Sequence, residues 1–261
     1  MYPLGPDGKH ARLAMRVLTA EETQDAVTFA RERLGFPLDK SQEAILGEGR
    51  RAIINCTRQY GKSTVGAIKA VHRAYTMADS LVLVLSPTLR QSGEFLKKAA
   101  TFVRQLGLKV RGDGHNKLSI AFPNGSRIVG LPGCEGNIRG FSAVSLLLVD
   151  EASRVKDDAY QAMRPVLAVG NGDLWLMSTP CGQRGFFWKT WTKGGEQWER
   201  ITVTAPECPW IAKDLLEEER HEKGDLQFRQ EYFCEFLEVD GAVFPADLLA
   251  RAMDDFEGLK D

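Results

Sequence analysis

Residues Asn55–Thr64 read NCTRQYGKST, and Gly61, Lys62 and Ser63 close a Walker A phosphate-binding pattern, G-x-x-x-x-G-K-[ST]. The first glycine of that pattern falls on Cys56, and Arg58 and Gln59 occupy positions where small residues are usual. What surrounds the stretch decides its reading. A short apolar run, RAIINC (51–56), enters it, and STVGAIKAVHRAY (63–75) leaves it with helical character. In a strand-loop-helix of this kind the loop N–H groups and the helix N-terminus form an anion cradle. Lys62 is then placed to meet β and γ phosphates, Ser63 to hold Mg²⁺, and Thr64 to add a phosphate contact.

Working outward, further apolar runs alternate with helical stretches: SLVLVLS (80–86), KLSIAF (117–122), SRIVGL (126–131), VSLLLVD (144–150), DLWLMST (173–179) and ERITVTA (199–205). Continuous rather than alternating apolar runs predict strands buried on both faces, hence a largely parallel sheet. The PNG (123–125) between KLSIAF and SRIVGL predicts an antiparallel hairpin. TAEETQDAVTFARERL (19–34) reads as a helix with Thr19 as N-cap and Glu22 closing a capping box. LDKSQEAIL (38–46) starts another, with Asp39 and Gln42 in the same relation. After Ala205 the strand signals stop, and residues 210–238 read as an acidic helical lid. The expected fold class is α/β: a mostly parallel sheet flanked by helices, with a small helical lid.

Two further motifs follow the loop in order. SLLLVDEAS (145–153) is a hydrophobic strand ending in Asp150 and Glu151, a Walker B pattern. Paired carboxylates at the end of an apolar strand need a cation or water to meet. Asp150 would complete the Mg²⁺ shell through water, and Glu151 would orient and deprotonate an attacking water. LWLMSTP (174–180) then ends in Ser178 and Thr179, polar groups placed to sense a γ-phosphate.

Composition narrows the classes. The 261-residue chain has net charge −1, 43% hydrophobic and 26% charged residues, which is ordinary globular composition. No run approaches the roughly 18 apolar residues of a membrane span, and the first residues carry no secretory core. Five scattered cysteines without a C-x-x-C pair argue against a disulfide framework or a zinc site and point to a reducing cytoplasm. Lys97, Lys98, Arg104, Lys109, Arg111 and Lys117 cluster in one window, which reads as a solvated face or as a DNA-facing patch.

The motif order resembles the additional-strand, catalytic-glutamate P-loop ATPases, and the residues resemble the ATPase domain of tailed-phage large terminase subunits. CTRQYGKS (56–63) fits that family's Walker A variant, with Arg58 at its loop arginine. LDKSQ (38–42) is similar to its upstream adenine element, where Gln42 would recognise the base, a role compatible with capping. NIRGFSAVSLLLVDEA (137–152), LMSTPCGQRGFFWK (176–189) and FRQEYFCEFLE (228–238) resemble its arginine-glycine element, its coupling motif around Ser178 and Thr179, and the close of its ATPase region.

The resemblance implies an ATP- and Mg²⁺-dependent motor that moves double-stranded DNA into a procapsid. Such a motor assembles as a homo-oligomeric ring on a portal protein with a small terminase subunit, in the cytoplasm of a bacterial host, and touches no membrane. Glu151, Arg58 and Arg139 would be catalytic, and Gln42, Arg58, Gln59, Gly61, Lys62, Ser63 and Thr64 would bind nucleotide. Arg58 can act within its own subunit; Arg139, with Arg104 second, is the candidate for charge donation across a ring interface, against the plainer reading of a surface salt bridge. The expected division is a core over 1–204 with a helical extension over 1–36, a lid over 205–240 and a linker over 241–261. The nuclease domain usual in the family is expected to be missing, Asp254, Asp255 and Glu257 read as a polar tail, and the fragment is expected to be monomeric and without nuclease activity. A helicase-like ATPase and a nucleotide-binding ring scaffold without turnover are the alternatives.

Overall fold

The structure, a computed structural model, describes residues 25–133 and 140–238. Thr19, Glu22 and Arg139 lie outside the described residues, as does the linker beyond residue 240.

Each apolar run becomes one strand: β1 Arg51–Cys56, β2 Leu81–Ser86, β3 Ser119–Ala121, β4 Arg127–Pro132, β5 Val144–Asp150, β6 Asp173–Ser178 and β7 Glu199–Val203. They form one sheet in the order β3-β4-β2-β5-β6-β1-β7, parallel throughout except for the β3–β4 hairpin. The continuous hydrophobicity has a direct cause in the two-sided core. Ala52, Ile54, Val82, Leu146, Leu148 and Trp175 pack into one cluster, and Ile53, Leu83, Leu147, Val149 and Leu176 pack into the other.

One face is covered by α1 (Ala26–Thr28, continued by a π turn Phe29–Arg33), α2 (Lys40–Gly47), α3 (Lys62–Thr76) and α4 (Leu89–Gln105). The other is covered by α5 (Asp157–Met163) and α6 (Gly185–Lys193). Among the described residues the first helix is capped by Asp25, whose carboxylate accepts from the N–H groups of Val27 and Thr28 at 3.2 and 2.8 Å. The capping box of α2 forms as expected: Asp39 accepts from the Gln42 N–H at 2.9 Å, and Gln42 Oε1 accepts from the Asp39 N–H at 3.2 Å.

Topology positions the motifs. β6 lies between β1 and β5, with Asn55 beside Ser178 and Met177 beside Asp150. Because the three strands are parallel, the strand feeding the loop, the acidic strand and the strand between them all end on one edge of the sheet. Ligands of open parallel sheets bind at such an edge.

Two further helices, α7 (Lys213–Lys223) and α8 (Asp225–Tyr232), form the lid. α7 buries no residue, whereas α8 buries Phe228, Glu231 and Tyr232. The chain around the end of α8 is stitched to the same edge. Asn55 Nδ2 donates to the Cys234 carbonyl at 2.8 Å, Thr57 Oγ1 to the Glu231 carbonyl at 3.1 Å, and the Gly182 N–H to Gln230 Oε1 at 2.7 Å.

Candidate active site

β1 delivers Cys56 to the loop as a regular strand residue, in register with Val203 and fully buried. The position does not need glycine's conformational freedom, and the cysteine side chain fills core space instead. The left-handed turns fall later, at Gln59 (φ 61°) and Gly61 (φ 97°). Gly61 takes its conformation without strain, while Gln59 holds one that non-glycine residues seldom adopt. α3 starts at Lys62, so its first N–H groups and its positive dipole end face the loop.

Loop residues and the acidic pair meet at that helix end. Ser63 Oγ lies 3.0 Å from each carboxylate oxygen of Asp150 and donates to them. Lys62 Nζ is 2.8 Å from Glu151 Oε1. Asp150 is only 4% exposed and Lys62 8%. Burial raises the Asp150 pKa above the ordinary carboxylate value, with Lys62 opposing. Burial works against charge on Lys62 too, but Glu151 and Asp150 outweigh it and hold its pKa above the ordinary lysine value. Glu151 sits at φ 52°, ψ 45°, left-handed backbone for a non-glycine residue. Strain of this kind concentrates at functional sites.

Because the fold disfavours ionised Asp150, its charge costs stability as pH rises from the ordinary carboxylate range through the folded pKa, and costs nothing below that range. Asp150→Asn should therefore melt above the parent at neutral pH without divalent cation. That advantage should vanish on acidification below the carboxylate range. Thermal unfolding across pH measures it; an equal or lower melting temperature at neutral pH would contradict the burial argument.

Ser178 and Thr179 tie the three strand ends together. The Ser153 N–H donates to Ser178 Oγ at 3.1 Å, Ser178 Oγ donates to Ser153 Oγ at 2.7 Å, and Thr179 Oγ1 donates to the Cys56 carbonyl at 2.8 Å. Two hydroxyls thus connect the loop entrance to the turn after Glu151.

The lid contributes charges to the same place. Arg58 Nη1 is 3.3 Å from Glu231, which is 6% exposed, and Lys223 reaches both Glu231 at 3.0 Å and Glu219 at 3.2 Å. Burial alone would raise the Glu231 pKa, but Lys223 and Arg58 overcome it and hold the carboxylate below its ordinary value. Trp210 Nε1 donates to the Gln59 carbonyl at 3.2 Å, and its ring stacks on Tyr60 at 5.9 Å. Arg58, Gln59, Lys62, Gln91, Glu151, Arg154, Thr179, Glu219, Lys223 and Tyr232 line a cleft of about 470 Å³, within the range of small-ligand sites. A larger hollow of about 650 Å³ beside Phe141 and Val169 contains none of the loop or acidic-pair residues.

Of the residues expected from sequence, the cleft thus gathers Arg58, Gln59, Lys62, Glu151 and Thr179 along its lining, while Ser63 and Asp150 meet beside Lys62. Thr64 lies on the first turn of α3, its N–H donating to the Gly61 carbonyl at 2.8 Å. Gln42 is buried at 1% exposure in its capping box and is not among the lining residues. Arg104 lies exposed in the last turn of α4, away from the cleft lining. Gln91, Arg154, Glu219, Lys223 and Tyr232 were not foreseen. Arg154 follows the acidic pair closely enough that its spacing could have drawn notice; the lid residues carry no motif.

A Walker A loop after β1, an acidic pair after β5 and an inserted β6 between them define a P-loop NTPase of the additional-strand class. Within that class the chain belongs to the family described as "Terminase large subunit, T4likevirus-type, N-terminal", which matches residues 53–251. The large terminase subunit of Thermus virus P23-45 is 24% identical over 250 residues, covering 82% of this chain and 51% of the relative. That of Escherichia phage T5 is 25% identical over 268 residues, covering 91% and 60%. The chain therefore spans about half the length of the curated relatives it matches. Among solved structures, the large terminase ATPase domain of Thermus phage P74-26 is similar with a TM-score of 0.70 at 22% identity, covering 79% of this chain and 97% of that one. The large terminase of another thermophilic bacteriophage, in complex with ADP, gives 0.64 at 12% identity, covering 84% and 54%. The fold is that of the terminase ATPase domains.

Proposed function

We propose that this chain binds Mg²⁺-ATP on the loop between β1 and α3, hydrolyses it, and uses the turnover to drive double-stranded DNA into a procapsid. The observation that carries the reading is the convergence of Lys62, Ser63, Asp150 and Glu151 on one edge of the sheet. Ser63 and Asp150 present hard oxygen donors side by side, the chemistry Mg²⁺ selects. Ser63 and Asp150 would hold the ion there, and it would supply positive charge against the developing negative charge of the phosphates.

The protein's own steps follow from the ion pairs. A triphosphate on the loop gives Lys62 a new anionic partner in place of Glu151. Glu151, freed at the same edge, accepts a proton from the attacking water. Arg58 contributes charge at the phosphates once it leaves Glu231, which links the phosphate site to α8. Gln59, Gly61 and Ser63 offer N–H groups of the cradle. Thr64, whose own N–H is taken by the Gly61 carbonyl, adds a phosphate contact through its hydroxyl, and Gln42 recognises the base. Ser178 and Thr179 carry the change between strand ends. The division into core, lid and linker keeps the proposed boundaries, 1–204, 205–240 and 241–261.

DNA, a homo-oligomeric ring on a portal protein and a small terminase subunit are the partners this reading implies, with the host cytoplasm as the compartment. Family membership supports it, as do Lys97, Lys98 and Arg104, which stand exposed on α4. No helix among the described residues is long and apolar enough to cross a membrane. Phosphate release from the purified chain with ATP, with and without Mg²⁺, tests the enzymatic core of the proposal. Nucleotide binding without metal-dependent release would leave a scaffold, not a motor.

Arg139 is proposed to serve the neighbouring subunit's ATP. Mixing Glu151→Ala with Arg139→Ala chains should then restore part of the activity that each lacks, because one interface can pair an intact base with an intact arginine. No recovery where parent chains demonstrably assemble would exclude the role in trans.

A further inference from the structure

Four cations line the cleft, and three of them are held by carboxylates. Lys62 is paired with Glu151, Arg58 with Glu231, and Lys223 with Glu219 and Glu231. Arg154 is the fourth. Its side chain is exposed and, among the described residues, no hydrogen bond or ion pair engages its guanidinium. Its backbone, by contrast, is fixed. The Arg154 N–H donates to the Glu151 carbonyl at 2.9 Å, closing a turn over Ala152–Arg154. Ser153, in the middle of that turn, is bonded to Ser178 and to the Thr179 carbonyl. The turn is therefore anchored on the ends of β5 and β6, independently of the lid.

An exposed, unpaired arginine is ordinarily a solvated surface group. Two features separate this one. It shares the cleft with Lys62 and Glu151, and it alone among the cleft cations can meet an anion without first abandoning a carboxylate. It is also carried on the same short turn as Glu151. A general base must stand close to the water it activates, and that water attacks the outermost phosphate. The turn thus belongs at the γ end of a bound triphosphate, and a guanidinium fork suits a terminal phosphate's paired oxygens.

We propose that Arg154 binds the outermost phosphate of ATP within its own subunit and so makes the cleft favour triphosphate over diphosphate. This rests on the cleft being the ATP site. Nothing in the sequence motifs requires it, and it adds a cation distinct from Arg58 and Arg139.

The test titrates Mg²⁺-ATPγS and Mg²⁺-ADP calorimetrically into the parent, Arg154→Ala and Arg154→Lys. Arg154→Ala should weaken ATPγS about tenfold, the scale of one charge-assisted hydrogen bond, and leave ADP within about twofold. Arg154→Lys should recover part of the loss by returning the charge without the fork. Melting temperatures of all three should agree, since the side chain has no partner to lose. Equal weakening of both nucleotides, or no change in either, would overturn the assignment of Arg154 while leaving the site intact. A parent that binds neither nucleotide would overturn the site, and the assignment with it.

Discussion

Glu151→Gln should bind ATP at least as tightly as the parent and release phosphate roughly 10²- to 10⁴-fold more slowly, the range a positioned general base supplies. The amide keeps the size of the carboxylate and its acceptor oxygen toward Lys62, 2.8 Å away, so the loop should hold its shape. It loses only the ability to take a proton from water. Removing the negative charge also leaves Lys62 with Asp150 as its remaining anionic neighbour, which should make the lysine freer to meet phosphate. Binding tighter than the parent's would fit this account. Fluorescent-nucleotide titration beside phosphate release separates the two effects, and undiminished turnover would remove Glu151 from the role of base.

Lys62→Ala should show the opposite split: nucleotide affinity falls by roughly 100-fold, about the worth of a charged hydrogen-bonding partner in a dry site. The variant carries a second consequence. Lys62 is what offsets the burial of Asp150, so its removal leaves two neighbouring carboxylates, one of them 4% exposed, without their cation. Breaking a buried pair from one side costs about 3–5 kcal/mol. The Ala variant should therefore melt well below the parent, and Mg²⁺ should recover part of the loss by replacing the missing charge. Denaturation with and without Mg²⁺ reads this out. Unchanged stability would mean that Lys62 and the acidic pair are not coupled as their distances imply.

The sheet was legible from sequence because burial on both faces writes itself as unbroken runs such as SLVLVLS and VSLLLVD, and each became one strand. The hairpin was legible from its PNG turn, where Gly125 takes φ 83°. That the loop and the acidic pair share one site followed from reading two strand ends as neighbours, whereas the direct contacts of Ser63 with Asp150 and of Lys62 with Glu151 came only with the structure. The π turn over Phe29–Arg33 was not legible. It depends on the Leu34 N–H reaching the Phe29 carbonyl while Phe29 and Ala30 are fully buried, which is a tertiary matter.

The lid's part in the site was equally hidden. Glu219, Lys223 and Glu231 look like ordinary members of an acidic amphipathic stretch, and only the docking of α8 beside Thr57 and Arg58 gives them a role. Gln42 shows the same limit from the other side. Its capping bond is local and could be read from spacing, whereas a role toward the base depends on what approaches the loop.

The central claim is that nucleotide binds on the loop after β1 and exchanges the partners of Lys62 and Glu151. A crystal structure of the chain with a non-hydrolysable ATP analogue and Mg²⁺ tests it most directly. The account predicts phosphates against the N–H groups of the loop, the metal ion between Ser63 and Asp150, Lys62 on phosphate, and Glu151 released from Lys62 toward the terminal phosphate. A nucleotide seated elsewhere, or one on the loop with the Lys62–Glu151 pair intact, would contradict it.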